Sequence, residues 1–441
     1  MQRPFRFICL LLSLVLCTSP LCGCAILFPD AYTTTTSPSP NTPTGNPQSG
    51  YDLVLRYDDR VPIDGTFVRI DIKDTKDPAL LCADDKEKNS FTLRAVGIGS
   101  ADLYVKRNGE EVCLRVLVEP APLNILLMLG EEAACGTAST EIPSPRSANG
   151  LIYYTCSGGI PLSSLPSGQY QSAEAFVPSH LTDNKKSLAG TDLPIPTDEL
   201  TTSGKGRYAG LCAPIAYQLV EATGERVWMI NLAQANASID KYQLHEEDPK
   251  KSPTLFRNAL ALWEAAAGVL ENELSANHYT VSRFGFIFCQ GESDVTMSDD
   301  AYYAAFSSMK KVLDAYFTFE TENGTRRLDF GGLILPRNVG ADLSPLATES
   351  GVRAAQRRIA DEKTGPLANV YLLSDAVDAW DTDGEVAAYF ARYDFRNFSL
   401  YYGYEPPKTV GELFAANGSY TAIACNELGY DAVKTLLSIG K

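Results

Sequence analysis

Five short apolar runs recur between residues 122 and 441: Ile125–Leu129, Val227–Leu232, Phe284–Cys289, Gly332–Leu335 and Val370–Ser374. Each is separated from the next by a stretch with helical spacing, Ala213–Ala222, Thr254–Leu274, Ala301–Tyr316 and Val352–Asp361. Apolar runs of this length without polar alternation belong to strands buried on both faces. Strands that alternate with helices build a parallel sheet covered on both sides, an α/β fold. In such a sheet the segments that follow the strands gather on one rim, where ligands bind. Three segments must therefore converge: Gly130–Gly136, Ala235–Ser238 and Gln290–Asp294.

Those segments carry motifs. The first apolar run is followed by Gly130-Glu131-Glu132-Ala133-Ala134-Cys135-Gly136. The third reads Phe286-Ile287-Phe288-Cys289-Gln290-Gly291-Glu292-Ser293-Asp294, with Tyr302, Tyr303 and Phe306 on the helical stretch beyond it. Between them lie Val227–Ala233 and then Ala237-Ser238-Ile239-Asp240-Lys241-Tyr242, and near the end stands Asn426-Glu427-Leu428-Gly429-Tyr430-Asp431. In this order the segments resemble the SGNH hydrolases, and in particular the sialate O-acetylesterase-like carbohydrate esterases, over roughly residues 122–441. The family's blocks read Gly-Gln-Ser-Asn-Met-Ala-Gly, Gly-Gly-Thr-Ser-Ile-Asp-x-Trp and Trp-x-Gln-Gly-Glu-Ser-Asp. The resemblance implies an SGNH-type, flavodoxin-like three-layer α/β/α domain with a parallel sheet. It also implies ester hydrolysis on acetylated glycans, provided the catalytic groups are present.

They are not. A serine esterase needs a nucleophile, a histidine base, an acid to orient it and donors for the oxyanion. The resemblance puts the nucleophile at Glu132, the acid at Thr421 and the base at Ala424. The histidines are His180, His245 and His278, so no shift of the alignment restores a C-terminal base. The family's Gly-Gly becomes Ala235-Asn236, while Gln290, which the family aims at the oxyanion, is kept. The expectation is a domain without intact catalytic residues that binds a carbohydrate, such as an acetylated glycan, or a surface protein. Its rim would comprise Glu131, Glu132, Ala235, Asn236, His245, Gln290 and Glu292. The alternative is an active carbohydrate O-acetylesterase with a relocated group, for which His245 and Ser293 are the candidates. Paired carboxylates among Glu131, Glu132, Glu292 and Asp294 also suit glycoside hydrolysis or a hard cation such as calcium. The plainer expectation has Glu292 and Asp294 bonding their own turn, with Glu131 and Glu132 exposed or capping a helix.

The N-terminus speaks to location. Arg3 and Arg6 precede an apolar run, Phe7 to Leu21, too short to span a bilayer and suited to a signal peptide. Leu21-Cys22-Gly23-Cys24 resembles a bacterial lipobox. That resemblance implies a signal peptide over 1–23, lipid on Cys24 and an exported lipoprotein anchored to the bacterial cell surface; ordinary cleavage would instead release a soluble protein. Residues 24–50, thick in Thr, Ser and Pro, lack the apolar content for a core and read as a tether. Residues 51–120 alternate like strands and contain Asn108-Gly109, the dipeptide of type I′ hairpins. They resemble bacterial Ig-like repeats and imply a small all-β Ig-like sandwich ahead of the 122–441 domain. A third reading makes that sandwich an adhesin. A formal charge of −16 argues against a nucleic-acid partner. Cys82 and Cys113 form a candidate disulfide pair. The remaining cysteines lack metal-ligand spacing, so neither metal nor cofactor is expected.

Overall fold

Alternation of apolar and polar residues builds the first strands. β1 (Leu53–Arg56) and β2 (Arg60–Asp64) bury Leu53, Leu55, Val61 and Ile63 and turn the residues between them outward. The computed structural model describes residues 50–74, 80–84, 86–135, 138–140, 152–156, 177–178, 207–234, 236–245, 251–340, 343–392, 405–416 and 418–439. The signal peptide, Cys24 and nearly all of the tether lie outside these residues, as do His180 and Ala235. β3 (Thr66–Asp74), β4 (Leu81–Asp84), β5 (Ser90–Ala95), β6 (Gly99–Arg107) and β7 (Glu110–Glu119) complete two sheets, ordered β1-β7-β6-β3 and β2-β5-β4. Both contribute to one core around Leu55, Val61, Leu93, Leu103 and Val116. The β6–β7 turn has φ of +52° at Asn108 and +91° at Gly109, as a type I′ hairpin requires.

Two expectations fail in this region. Strict alternation puts Val68, Ile70 and Ile72 on one face of β3. The ladder with β6 instead slips between Phe67 and Arg69, so Phe67 and Ile70 both pack on the core. Val68, the unpaired residue of that bulge, is left 37% exposed, and Ile72, paired with Ala101 just before a second irregularity in the ladder, is 44% exposed. Cys82 and Cys113 do not bridge. They are free thiols on β4 and β7, strands of different sheets, and the Cys82 Sγ–H donates to Asp84 Oδ1 at 3.1 Å.

Only Pro120 separates β7 from β8 (Ala121–Gly130), and the two regions are fastened together. Arg226, 1% exposed, reaches Asp59 with Nη2–Oδ1 at 2.9 Å, and the Tyr57 ring stacks on His278 at 3.9 Å. Removing one member of a buried ion pair strands the other in low dielectric. Asp59→Ala is therefore expected to cost about 2 kcal/mol, below the usual range for a buried pair because Asp59 itself stays partly wet. Urea denaturation of the variant checks this, and an unchanged midpoint would show that Arg226 finds water instead.

The rest of the chain is the α/β region. After β8 come α1 (Glu132–Cys135), β9 (Ala138–Thr140), β10 (Ile152–Cys156), β11 (Val177–Pro178), β12 (Arg207–Ala209), α2 (Cys212–Thr223), β13 (Arg226–Asn231) and α3 (Thr254–Ser275). Then follow β14 (Tyr279–Cys289), α4 (Asp299–Tyr316), β15 (Phe319–Thr321), β16 (Gly324–Arg326), β17 (Phe330–Ile334), α5 (Gly351–Asp361), β18 (Val370–Ser374), α6 (Asp383–Phe390), α7 (Val410–Leu413) and α8 (Ala422–Leu436). Seven strands form the main sheet in the order β11-β10-β13-β8-β14-β17-β18, and every neighbouring pair except β10–β11 is parallel. β14 starts at Tyr279 rather than Phe284, because Tyr279–Val281 continues the ladder with Ala121–Leu123.

Side chains of β8 alternate between two cores. Leu126 and Met128 join residues of α2 and α8, whereas Ile125, Leu127 and Leu129 join residues of α3, α4 and α5. Serine and threonine caps set the helix starts. Ser298 Oγ accepts from Ala301 N–H, Ser350 Oγ from Arg353 N–H and Thr421 Oγ1 from Ala424 N–H. Tyr302, Phe306, Met309 and Leu313 then recur at helical spacing on the buried face of α4. Among the described residues no helix is long and apolar enough to cross a membrane.

Candidate functional site

The rim begins where β8 leaves the sheet. Gly130 has φ of +130°, and a Cβ there would stand 1.9 Å from the carbonyl oxygen of Cys289. Glycine alone permits this approach of two parallel strands. The Tyr242 hydroxyl clamps the same residue, accepting from Gly130 N–H at 3.0 Å and donating to Gly130 O at 2.6 Å. One residue on, Glu131 N–H donates to Cys289 O at 3.0 Å.

Glu131 is neither exposed nor a helix cap. It is 1% exposed, and its carboxylate bridges to the turn after β14. Oε1 accepts from Gly291 N–H at 2.9 Å and from Ser293 N–H at 3.0 Å, while Oε2 accepts from the Ser293 hydroxyl. A carboxylate with three donors is well satisfied in a dry site. Glu131 thus holds together the ends of two strands, with its charge directed inward.

The turn itself is equally committed. Gln290 is fully buried; its Nε2 donates to Asp294 Oδ2 at 2.6 Å and Ala237 O at 3.2 Å, and its Oε1 accepts from the Tyr302 hydroxyl at 2.7 Å. Gln356 supports this pair, donating from Nε2 to Gln290 O and to the Tyr302 oxygen. The Asp294 carboxylate does not bond its own turn's backbone; Oδ2 accepts from Ile239 N–H at 2.6 Å, and burial raises its pKa. The Glu292 carboxyl, besides a bond from its own backbone, reaches beyond the turn. Its Oε1 accepts from the Tyr420 hydroxyl at 2.8 Å, and its Oε2 is sealed from solvent with no hydrogen-bond partner. Burial first, and the nearby Glu131 carboxylate second, push the Glu292 pKa from 4.5 to about 8. That shift favours the protonated form of Glu292 at neutral pH.

Tyr420 connects this carboxyl to a third loop. Its oxygen accepts from Arg337 N–H at 3.2 Å, three residues beyond β17. The Arg337 guanidinium lies over the Phe414 ring, 3.9 Å from its centroid. Burial lowers the Arg337 pKa. Sequence reasoning missed Arg337 and Tyr420, which act from segments remote from the motif they serve, and it quoted Tyr242 in a motif without a role.

Other expected rim residues take various places. Glu132 begins α1, and Ala235 lies outside the described residues. Asn236 is exposed with φ of +54°, a conformation asparagine tolerates better than most residues. Asn231 Oδ1 steadies the start of that loop by accepting from Ala233 N–H. His245 is exposed, and its backbone N–H donates to Ser252 Oγ at 2.9 Å. The bonds to Glu131, Glu292 and Ser293 come from serine, tyrosine and backbone groups, none from histidine. Thr421 and Ala424, at the family's acid and base positions, are the cap and first turn of α8, with Ala424 fully buried. Among the described residues no cluster of three or more His, Cys, Asp or Glu side chains is placed to hold a metal ion.

No protein-family model matches the chain, and none of the curated proteins does. Among solved structures it is similar to a protein from Arabidopsis thaliana, at 12% identity and a TM-score of 0.39, over 72% of this chain and 98% of that one. It is also similar to a structure described as a novel carbohydrate acetylesterase from Xanthomonas citri, at 14% identity and a TM-score of 0.30, over 75% and 67%. Both likenesses are distant.

Proposed function

We propose that the chain is an exported surface lipoprotein, anchored through Cys24, whose α/β domain is of SGNH-type, flavodoxin-like three-layer build and binds carbohydrate without hydrolysing it. The strand order β13-β8-β14-β17-β18 supports the fold reading, since it is the flavodoxin-like order with β8 as the first strand. The motifs shared with carbohydrate esterases support the ligand class. One observation carries the loss of catalysis: the groups that would stabilise an oxyanion are turned inward. Gln290, the oxyanion donor the resemblance keeps, spends its amide on Ala237 and Asp294, and the neighbouring Gly291 and Ser293 amides donate to Glu131. Oxyanion stabilisation needs donors aimed at the reacting atom and no fixed negative charge among them. Glu131 supplies that charge.

A second reading has one observation in its favour. The Ser293 hydroxyl donates to the Glu131 carboxylate, which is the bond of a nucleophile to a base. The mature chain is expected to hydrolyse 4-nitrophenyl acetate and acetylated xylan no faster than buffer. Turnover that disappears in Ser293→Ala would replace the binding reading with an active esterase.

A further inference from the structure

Several arginines of the α/β region are paired with carboxylates. Arg353 pairs with Asp378, Arg357 with Glu349 at 2.8 Å, Arg358 with Asp300 at 2.9 Å and Arg392 with Glu427 at 2.8 Å. Among the described residues, Arg337 forms no ion pair, and its guanidinium donates no hydrogen bond. The chain is rich in acid, with 54 Asp and Glu against 38 Lys and Arg, so a carboxylate partner is not scarce. A half-buried guanidinium that only stacks on a ring loses hydration without regaining hydrogen bonds unless a ligand supplies an anion.

Its surroundings preserve that condition. Asp381 lies near enough to be felt by Arg337 but not within ion-pair distance, and burial raises the Asp381 pKa. Glu292, bonded to the Tyr420 hydroxyl, is felt by Arg337 but is not within ion-pair distance, and burial raises its pKa towards the uncharged form. Meanwhile the arginine is held in place. Tyr420 fixes its backbone N–H, and Phe414 fixes the plane of its guanidinium by stacking. A fixed planar fork with unused donors suits bidentate capture of an oxyanion. The position is right as well. Pro336 packs under Gly291, so Arg337 emerges beside the turn that Glu131 secures.

Resting on the reading of the rim as a carbohydrate-binding surface, we propose that Arg337 is the anchoring cation of that site and that its ligand is a carbohydrate bearing an oxyanion. A carboxylate on a hexuronic acid and a sulfate ester present the same chemistry, so both belong in the test. Calorimetric titration of the mature chain would use three probes: an oligogalacturonate, its fully methyl-esterified form and a sulfated galactan oligosaccharide. At least one charged probe is expected to bind, and the methyl ester to bind about tenfold more weakly than the acid, or not at all. Which charged probe binds identifies the anion. Arg337→Met keeps an apolar stem against Phe414 and is expected to weaken the charged probe by about tenfold or more with the melting temperature unchanged. Arg337→Lys should recover part of the loss, because it restores charge without the fork. Equal binding of acid and ester, indifferent to Arg337→Met, would overturn the anchor while leaving the carbohydrate reading in place. Absence of binding by both charged probes would also overturn it. Hydrolysis of acetyl esters by the same sample would instead remove the non-catalytic reading.

Discussion

The Gly130→Ala variant is expected to lose about 4 kcal/mol or more of stability, enough to leave little soluble protein. Two costs combine at this residue. A φ of +130° is closed to residues with a side chain, and the added carbon would fall 1.9 Å from Cys289 O, a backbone atom that cannot swing aside. That carbonyl accepts from Glu131 N–H, and Gly130 is gripped by the Tyr242 hydroxyl on both its N–H and its C=O. Any movement that relieves the clash thus breaks bonds on three segments. Gly224→Ala offers the comparison, since Gly224 has φ of +64° and no atom within 4 Å of an added carbon. Conformation without crowding should cost only about 1 kcal/mol there. Soluble yield and thermal denaturation of the pair separate the two causes, and a Gly130→Ala protein melting within a few degrees of Gly224→Ala would show that the strand ends can part.

Burial on both faces of a sheet requires no partner to be recognised, which is why Ile125–Leu129, Val227–Leu232 and Val370–Ser374 were legible as strands from composition alone. The caps were not read from the sequence, although Ser298, Ser350 and Thr421 act on amides only three residues away. Glu131 was misread because its three bonds go to residues 160 or more positions along the chain. A glutamate after a strand looks exposed until the turn that receives it is known. Thr421 and Ala424 had the opposite problem. Counting back from Asn426 located them correctly in the chain, but only the start of α8 reveals that one caps a helix and the other is buried in it. The bulge at Val68 leaves no mark in the alternation of β3, since apolar residues on both sides of the slip satisfy either register.

Glu292→Gln is expected to remove a pH dependence that is built into the rim. The folded protein holds the Glu292 proton up to about pH 8, whereas an exposed glutamate releases it near 4.5. A raised carboxyl pKa stabilises the fold below the unfolded value. That contribution is lost as pH climbs through the folded value, at up to about 1.4 kcal/mol per pH unit. Between pH 5 and pH 9 the wild type should therefore lose, from this group alone, something on the order of 3 kcal/mol. Glutamine keeps an oxygen for the Tyr420 hydroxyl and replaces the carboxyl proton with an amide hydrogen that does not titrate. Urea midpoints at pH 5, 7 and 9 should show the variant gaining steadily on the wild type. A difference independent of pH would mean that Glu292 is ionised throughout. The same proton bears on Arg337. Once Glu292 ionises it becomes the counter-charge that Arg337 otherwise lacks, so the affinity of the wild type for an acidic oligosaccharide should fall above about pH 8, while that of Glu292→Gln should not.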